Sequence, residues 1–240
     1  MNVLEIKNVY FKYDTQTVLE NINLTLKEKE FLAVIGPNGG GKTTLLKLIL
    51  GFLKPTEGQI LIYGKPPQLI SHLIGYVPQH TNFSLDLPVR VFDIVLQGRL
   101  KKHKFFFNKK DKKKVNEVLE KLNILTLAKE KIKNLSGGQR QKVLIARALA
   151  SEPKIIVMDE PTSAIDPQGQ KEILDLIENM NVTRIIVSHD IKILLRKVDK
   201  IAYINKKIVL HDGPKLNIPN DKHFCEIELI NFLKDNECGI

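Results

Sequence analysis

The stretch GPNGGGKTT, residues 36–44, carries the residue types needed to hold a chain of phosphates. It fits G-x-x-x-x-G-K-[ST] through Gly36, Gly41, Lys42 and Thr43. Glycines at 36, 39, 40 and 41 let successive backbone N–H groups turn inward around an anion, with Asn38 and Thr44 completing the loop. Lys42 can then reach the β- and γ-phosphates, and the Thr43 hydroxyl suits Mg²⁺. Two adjacent carboxylates, Asp159 and Glu160, close an apolar run (Ile155-Ile156-Val157-Met158). Asp159 is placed to hold Mg²⁺ beside Thr43, and Glu160 to polarise water for in-line attack on the γ-phosphate. Leu135-Ser136-Gly137-Gly138-Gln139 is a second glycine turn opening a helix, with a serine hydroxyl as a further donor. One chain thus carries two candidate phosphate-binding helix starts.

These residues need elements to hold them. Phe31-Leu32-Ala33-Val34-Ile35 reads as a buried strand feeding the first glycine loop, and Leu45-Leu46-Lys47-Leu48-Ile49-Leu50 leaves it at helical spacing. Strands are expected over 4–11, 18–26, 59–63 and 74–77, the second half-buried and antiparallel because its apolar residues alternate. From 87 to 133 the pattern is helical, lysine-rich and without strand signal, which suggests an inserted lobe. After Gly137, helices at 138–150, 167–180 and 190–197 alternate with strands at 154–158, 184–187 and 200–204. Such alternation means a mainly parallel sheet with helices on both faces. The expected fold is therefore α/β: a P-loop core with an antiparallel β subdomain and an inserted α-helical lobe. The tail, 216–240, reads as a loop and a short amphipathic helix without a motif.

Composition narrows the class. The hydrophobic share, 43%, and the charged share, 27%, suit a soluble globular chain. No apolar run reaches the ~20 residues of a membrane-spanning helix, and the start of the chain lacks a leader pattern. Residence in the cytosol is expected. Cys225 and Cys238 suggest neither a disulfide framework nor a zinc site, and the histidines lack ligand spacing. The net charge of +10 is concentrated in lysines at 101–104 and 109–114, which flank Phe105-Phe106-Phe107. Two readings stand for this run: a solvated face, or a surface for nucleic acid or anionic lipid. Three adjacent phenylalanines add a partner surface or a core anchor as readings. No RNA- or DNA-binding module is present, so nucleic acid is not expected as a partner.

LSGGQ at 135–139, together with the loop at 36–44 and the carboxylate pair, resembles the ATPase subunit of ATP-binding cassette (ABC) transporters. The family's motifs run in the expected order from Tyr13 to His189. The resemblance implies that Tyr13 stacks on adenine. It implies that Gln79 contacts Mg²⁺ and the attacking water, and that His189 contacts the γ-phosphate. It also places Ser163-Ala164-Ile165-Asp166 at the family's D-loop, with Ile165 where leucine is usual. Glu160, His189 and Gln79 would be catalytic. Thr43, Gln79 and Asp159 would hold the metal. Ser136, Gly138 and Gln139 would act on ATP held by a second subunit, in a head-to-tail pair. The whole chain would be one ABC ATPase domain, with a core at 1–86 and 135–215, a helical lobe at 87–134 and a tail at 216–240.

A single cassette without a membrane span implies a separate permease, here at the cytoplasmic face of the cell membrane. A finer resemblance is to zinc and manganese importers, through Gly39-Gly40-Gly41, the stretch 74–80 and the stretch 87–99, with Leu87 where phenylalanine is usual. Iron-chelate importers share part of that pattern. An extracytoplasmic binding protein would select the metal, and a permease helix would dock around 80–99. The ATPases of exporters and of nucleic-acid processes are the remaining alternatives.

Overall fold

The computed structural model describes residues 1–79, 88–100, 106–163, 165–189 and 197–212. His80, Leu87, the lysine run at 101–104, Phe105, Ala164, most of the helix expected over 190–197, both cysteines and the tail lie outside them.

Two sheets make the frame. The first is antiparallel, in the order β2-β1-β4, from β1 (Asn2–Tyr13), β2 (Gln16–Lys27) and β4 (Glu57–Ile62). The second has the order β5-β6-β7-β3-β8-β9. Its strands are β3 (Phe31–Ile35), β5 (Ile74–Val77), β6 (Ile155–Asp159), β7 (Thr183–Val187), β8 (Lys200–Asn205) and β9 (Lys207–Asp212). All neighbours in it are parallel except β8 and β9, which form a hairpin at the edge. Strand β9 is an addition to the sequence reading, which ended the sheet at Ile204. The alternation of Ile204, Ile208 and Leu210 around Asn205-Lys206-Lys207 was the available signal.

Period-two alternation gives each central strand two faces. Phe31, Ala33, Ile35, Ile156, Met158 and Ile186 point into one core, and Leu32, Val34, Ile155, Val157, Ile185 and Val187 into the other. The first core is filled by α3 (Val91–Gln97), α4 (Lys109–Lys121), α5 (Gly137–Ala150) and α6 (Pro167–Glu178). The second is filled by α1 (Lys42–Ile49) and the antiparallel sheet, with Ile70 of the short α2 (Pro67–Ile70). Helices on both faces of a mainly parallel sheet are thus present, and one face is shared with β strands.

Helix α1 has eight residues, fewer than the ~12–15 that an isolated helix needs. Tertiary packing holds it: Leu45, Leu46, Leu48 and Ile49 are fully buried, each contributing on the order of 2 kcal/mol. Buried Arg184 of β7 ends α6 from inside. Its Nη1 donates to the carbonyls of Ile177, Glu178 and Met180 at 3.1, 2.6 and 2.9 Å, at and just past the helix end, where intrahelical donors run out. Its guanidinium lies 4.9 Å from the Phe31 ring centre.

Candidate functional site

Parallel neighbours share a direction, so the C-terminal ends of β5, β6, β7 and β3 form one edge. The candidate residues follow from those four strand ends: Gln79 after β5, Asp159 and Glu160 at β6, His189 after β7, and the 36–44 loop after β3. The register keeps them level, with Val77 opposite Met158, Asp159 opposite Val187, and Val187 opposite Val34. Ligands of doubly wound sheets bind at this edge.

The glycine loop is a formed cradle. Gly36 has φ +145°, and a Cβ there would collide with the Ile204 carbonyl of β8. Gly41 ends the loop at φ +105° and caps α1 without a side-chain hydrogen bond. The helix start is therefore left to other acceptors. Lys42 is 7% exposed, and its Nζ donates to the Gly36 and Pro37 carbonyls at 2.7 and 2.9 Å. Its ammonium thus curls back over the loop mouth. Asn38 and Gly39 are exposed, Gly40 and Thr44 buried, and Thr43 exposed at the helix start. This set fits a polyphosphate: a buried cation, an uncapped helix start and a loop wall that tolerates no side chain.

The loop is also held from outside. Lys206, alone at the tip of the β8–β9 hairpin with φ +59°, donates its N–H to the Gly40 carbonyl at 3.0 Å. The same residue's carbonyl accepts from the Glu20 N–H of β2 at 2.8 Å. The sequence reading did not single out Lys206, because it acts through its backbone.

Asp159 is buried at the end of β6, and its charge, after burial itself, helps hold the Tyr76 phenol above its ordinary pKa. Glu160 follows with φ +45°, a strained conformation for a non-glycine residue. Its N–H bonds the Val187 carbonyl at 2.8 Å, and its carbonyl accepts from the Ser163 N–H and hydroxyl at 3.1 and 3.0 Å. The strained turn aims its side chain across the edge. Gln79 Nε2 lies 2.9 Å from Glu160 Oε2, and His189 Nδ1 lies 2.9 Å from the same oxygen. Three residues from separate strand ends therefore meet at one carboxylate oxygen. Tyr13 closes β1, 42% exposed, with its ring edge-on to Phe11 at 4.8 Å.

The second glycine turn lies apart. Ser136 caps α5: its Oγ accepts from the Gln139 N–H at 3.2 Å, and Gln139 Oε1 accepts from the Ser136 N–H at 3.0 Å. A reciprocal cap of this kind fixes both side chains. It leaves the hydroxyl hydrogen of Ser136 unused by that pair. Ser136, Gly138 and Gln139 line a cleft of about 330 Å³ with Asp166 and Gly169. No residue of the 36–44 loop, nor Gln79, Asp159, Glu160 or His189, lines it. Among the described residues, one chain thus presents two half-sites that do not share a cavity.

A phosphate cradle at the edge of a parallel sheet, beside two carboxylates, defines a P-loop nucleotide hydrolase. The profile of the ABC transporter family matches residues 19–163. The zinc uptake system ATP-binding protein ZurA of Listeria monocytogenes is 37% identical over 88% of this chain and 85% of its own. An inward-facing ABC transporter described as metal-chelate type superposes with a TM-score of 0.78 at 34% identity, over 88% of this chain and 84% of that one. A bacterial ABC transporter cassette solved as a dimer superposes with a TM-score of 0.73 at 30% identity, over 87% and 98%. The chain belongs to the ABC transporter family, as one of its ATP-hydrolysing cassettes. Among the described residues no helix is long and apolar enough to cross a membrane.

Proposed function

We propose that this chain powers import of a metal ion, zinc or manganese, by hydrolysing ATP between two copies of itself beneath a separate permease. The observation that carries the hydrolytic part is the meeting of Gln79, Glu160 and His189 at one oxygen. The metal cargo rests on the likeness to the zinc uptake protein. A metal-chelate importer is the second reading, favoured by the likeness to the metal-chelate-type transporter.

In this reading the 36–44 loop and Lys42 hold the phosphates, and Tyr13 stacks on the adenine. Thr43, Asp159 and Gln79 would hold Mg²⁺, which would supply positive charge to offset that of the phosphates. Glu160 accepts a proton from water as the water oxygen bonds to the γ-phosphorus. The bond to the β–γ bridging oxygen breaks, leaving ADP and phosphate. His189 stabilises the charge on the γ-phosphate. Ser136, Gly138 and Gln139 close on ATP bound to the other subunit. The separate cleft around Ser136 and the dimeric relative support that arrangement. The closed pair is a homodimer at the cytoplasmic face of the membrane, and an extracytoplasmic protein delivers the metal. Phe52, 67% exposed and edge-on to Tyr76 three residues before Gln79, supports a permease contact beside the Gln79 loop.

Glu160→Gln tests the proposal. It should bind ATP, lose turnover by roughly 10²–10⁴-fold as expected for a missing general base, and accumulate as an ATP-bound dimer on a sizing column. Wild-type phosphate release from that variant would remove Glu160 as the base.

A further inference from the structure

We infer that Phe106 and the first two turns of α4 form a contact with anionic phospholipid headgroups. The inference rests on the reading of this chain as a subunit held beneath a membrane permease. Phe106 is 87% exposed, while Phe107 beside it packs against the core. One ring thus anchors the segment and its neighbour is presented outward. Lys109, Lys110, Lys112 and Lys113 follow, all exposed. At 100° per residue they spread over an arc of roughly 160°. Asp111, Val115, Val118 and Leu119, all buried, occupy the rest of the helix.

Charge argues against a merely solvated face. The lysines stand at the positive end of the helix dipole, where cations are disfavoured. The one acidic residue of that first turn, Asp111, is buried and used. It caps Asn108 and binds Arg99 Nε at 3.2 Å. Glu152, the nearest other carboxylate of the network, is taken by Arg99 and Lys114 at 2.8 and 3.1 Å. Among the described residues the four outward lysines pair with no carboxylate. A helix start crowded with unneutralised cations calls for an external anion. An exposed phenylalanine a turn away calls for apolar depth beneath it. A bilayer with anionic headgroups supplies both.

The position suits such a surface. Arg99 fixes the start of α4 to the end of α3 and, through the Ala150 carbonyl at 2.6 Å, to the end of α5. The patch is therefore rigid with respect to Arg90, at the other end of α3. Helix α3 has seven residues, about 10 Å at 1.5 Å per residue, so a lobe docked on a permease near Arg90 would bring the lysines near the surrounding lipid.

Flotation of the full chain with vesicles tests this directly. Binding to vesicles of phosphatidylcholine with phosphatidylglycerol should exceed binding to phosphatidylcholine alone by more than tenfold at low salt, and fall steeply as salt rises. Each single lysine-to-glutamine change should weaken binding about fivefold. Phe106→Ser should weaken it without changing its salt dependence. The quadruple lysine variant should keep wild-type ATPase turnover and a wild-type melting temperature. Equal binding to both vesicle types, or unchanged binding by the quadruple variant, overturns the inference. So does binding to single-stranded RNA through the same lysines in the absence of vesicle binding. If vesicles are ignored while Glu160→Gln still traps the ATP dimer, the lipid contact fails and the transport reading stands.

Discussion

Glu160 Oε2 receives both Gln79 and His189. The two contacts tie the proposed base to the strand ends on either side of it. In the proposed mechanism, His189 would exchange this carboxylate for the γ-phosphate as Glu160 takes a proton from water. Lys42 is engaged in the same manner, by Gly36 and Pro37 carbonyls. Lys42→Ala should weaken ATP binding by roughly 10–100-fold, the range for losing a charged hydrogen bond. Titration calorimetry with a non-hydrolysable analogue checks this, and an unchanged Kd would contradict the phosphate role. The chemical types at 36–44 and 159–160 were legible because glycine spacing and adjacent carboxylates are local patterns. The shared oxygen was not, since Gln79, Glu160 and His189 are joined only by strand order.

Element boundaries followed apolar periodicity. The sequence placed β3, β5, β6, β7 and β8; the structure keeps the first two as read, shifts β6 by one residue and lengthens β7 and β8 by one each. The edge strand β9 escaped because it is short, ends in His211-Asp212 and buries none of its residues fully. The clamp between helices was equally hidden. Arg99, Asp111, Lys114 and Glu152 tie α3, α4 and the end of α5 together, yet nothing in their spacing announces it. Hydrogen bonds from Arg99 and Lys114 hold the Glu152 carboxyl below its ordinary value of 4.5. A lowered folded pKa means that the clamp's contribution is complete above the ordinary value and lost as pH falls through the lower one. The side chain is 53% exposed, so screening keeps the gain under about 1 kcal/mol. Glu152→Gln should melt slightly lower at neutral pH, and its gap to wild type should close by about pH 3. Paired thermal melts across that range measure it.

The proposed function assigns different tasks to two faces of the molecule. One edge of the parallel sheet gathers the nucleotide residues, while the helices over one core carry Arg90, exposed at the start of α3. The backbone there is pinned by Val91 N–H to Glu130 O at 2.9 Å and Ile132 N–H to Val89 O at 3.0 Å. A side-chain change should therefore leave the lobe folded. Arg90→Glu should lower metal uptake into proteoliposomes by roughly tenfold through lost charge complementarity, while ATPase turnover of the isolated chain stays at wild type. Intact uptake would move the permease contact elsewhere. The proposal that the two candidate sites pair between copies rests on family likeness. A single chain shows only that the Ser136 cleft excludes the residues of the phosphate loop.

The backbone clasp by Lys206 bears on the economy of repeated turnover. A loop free to disorder after each product departure would have to be re-formed, at about 1–2 kcal/mol of entropy per residue fixed. Here the hairpin tip holds Gly40 while linking it to Glu20 on the other sheet through backbone hydrogen bonds of the chain itself. A cradle shaped in this way by two sheets spends less of the binding energy of ATP on its own ordering, and in the proposed reading that energy goes to drawing two subunits together.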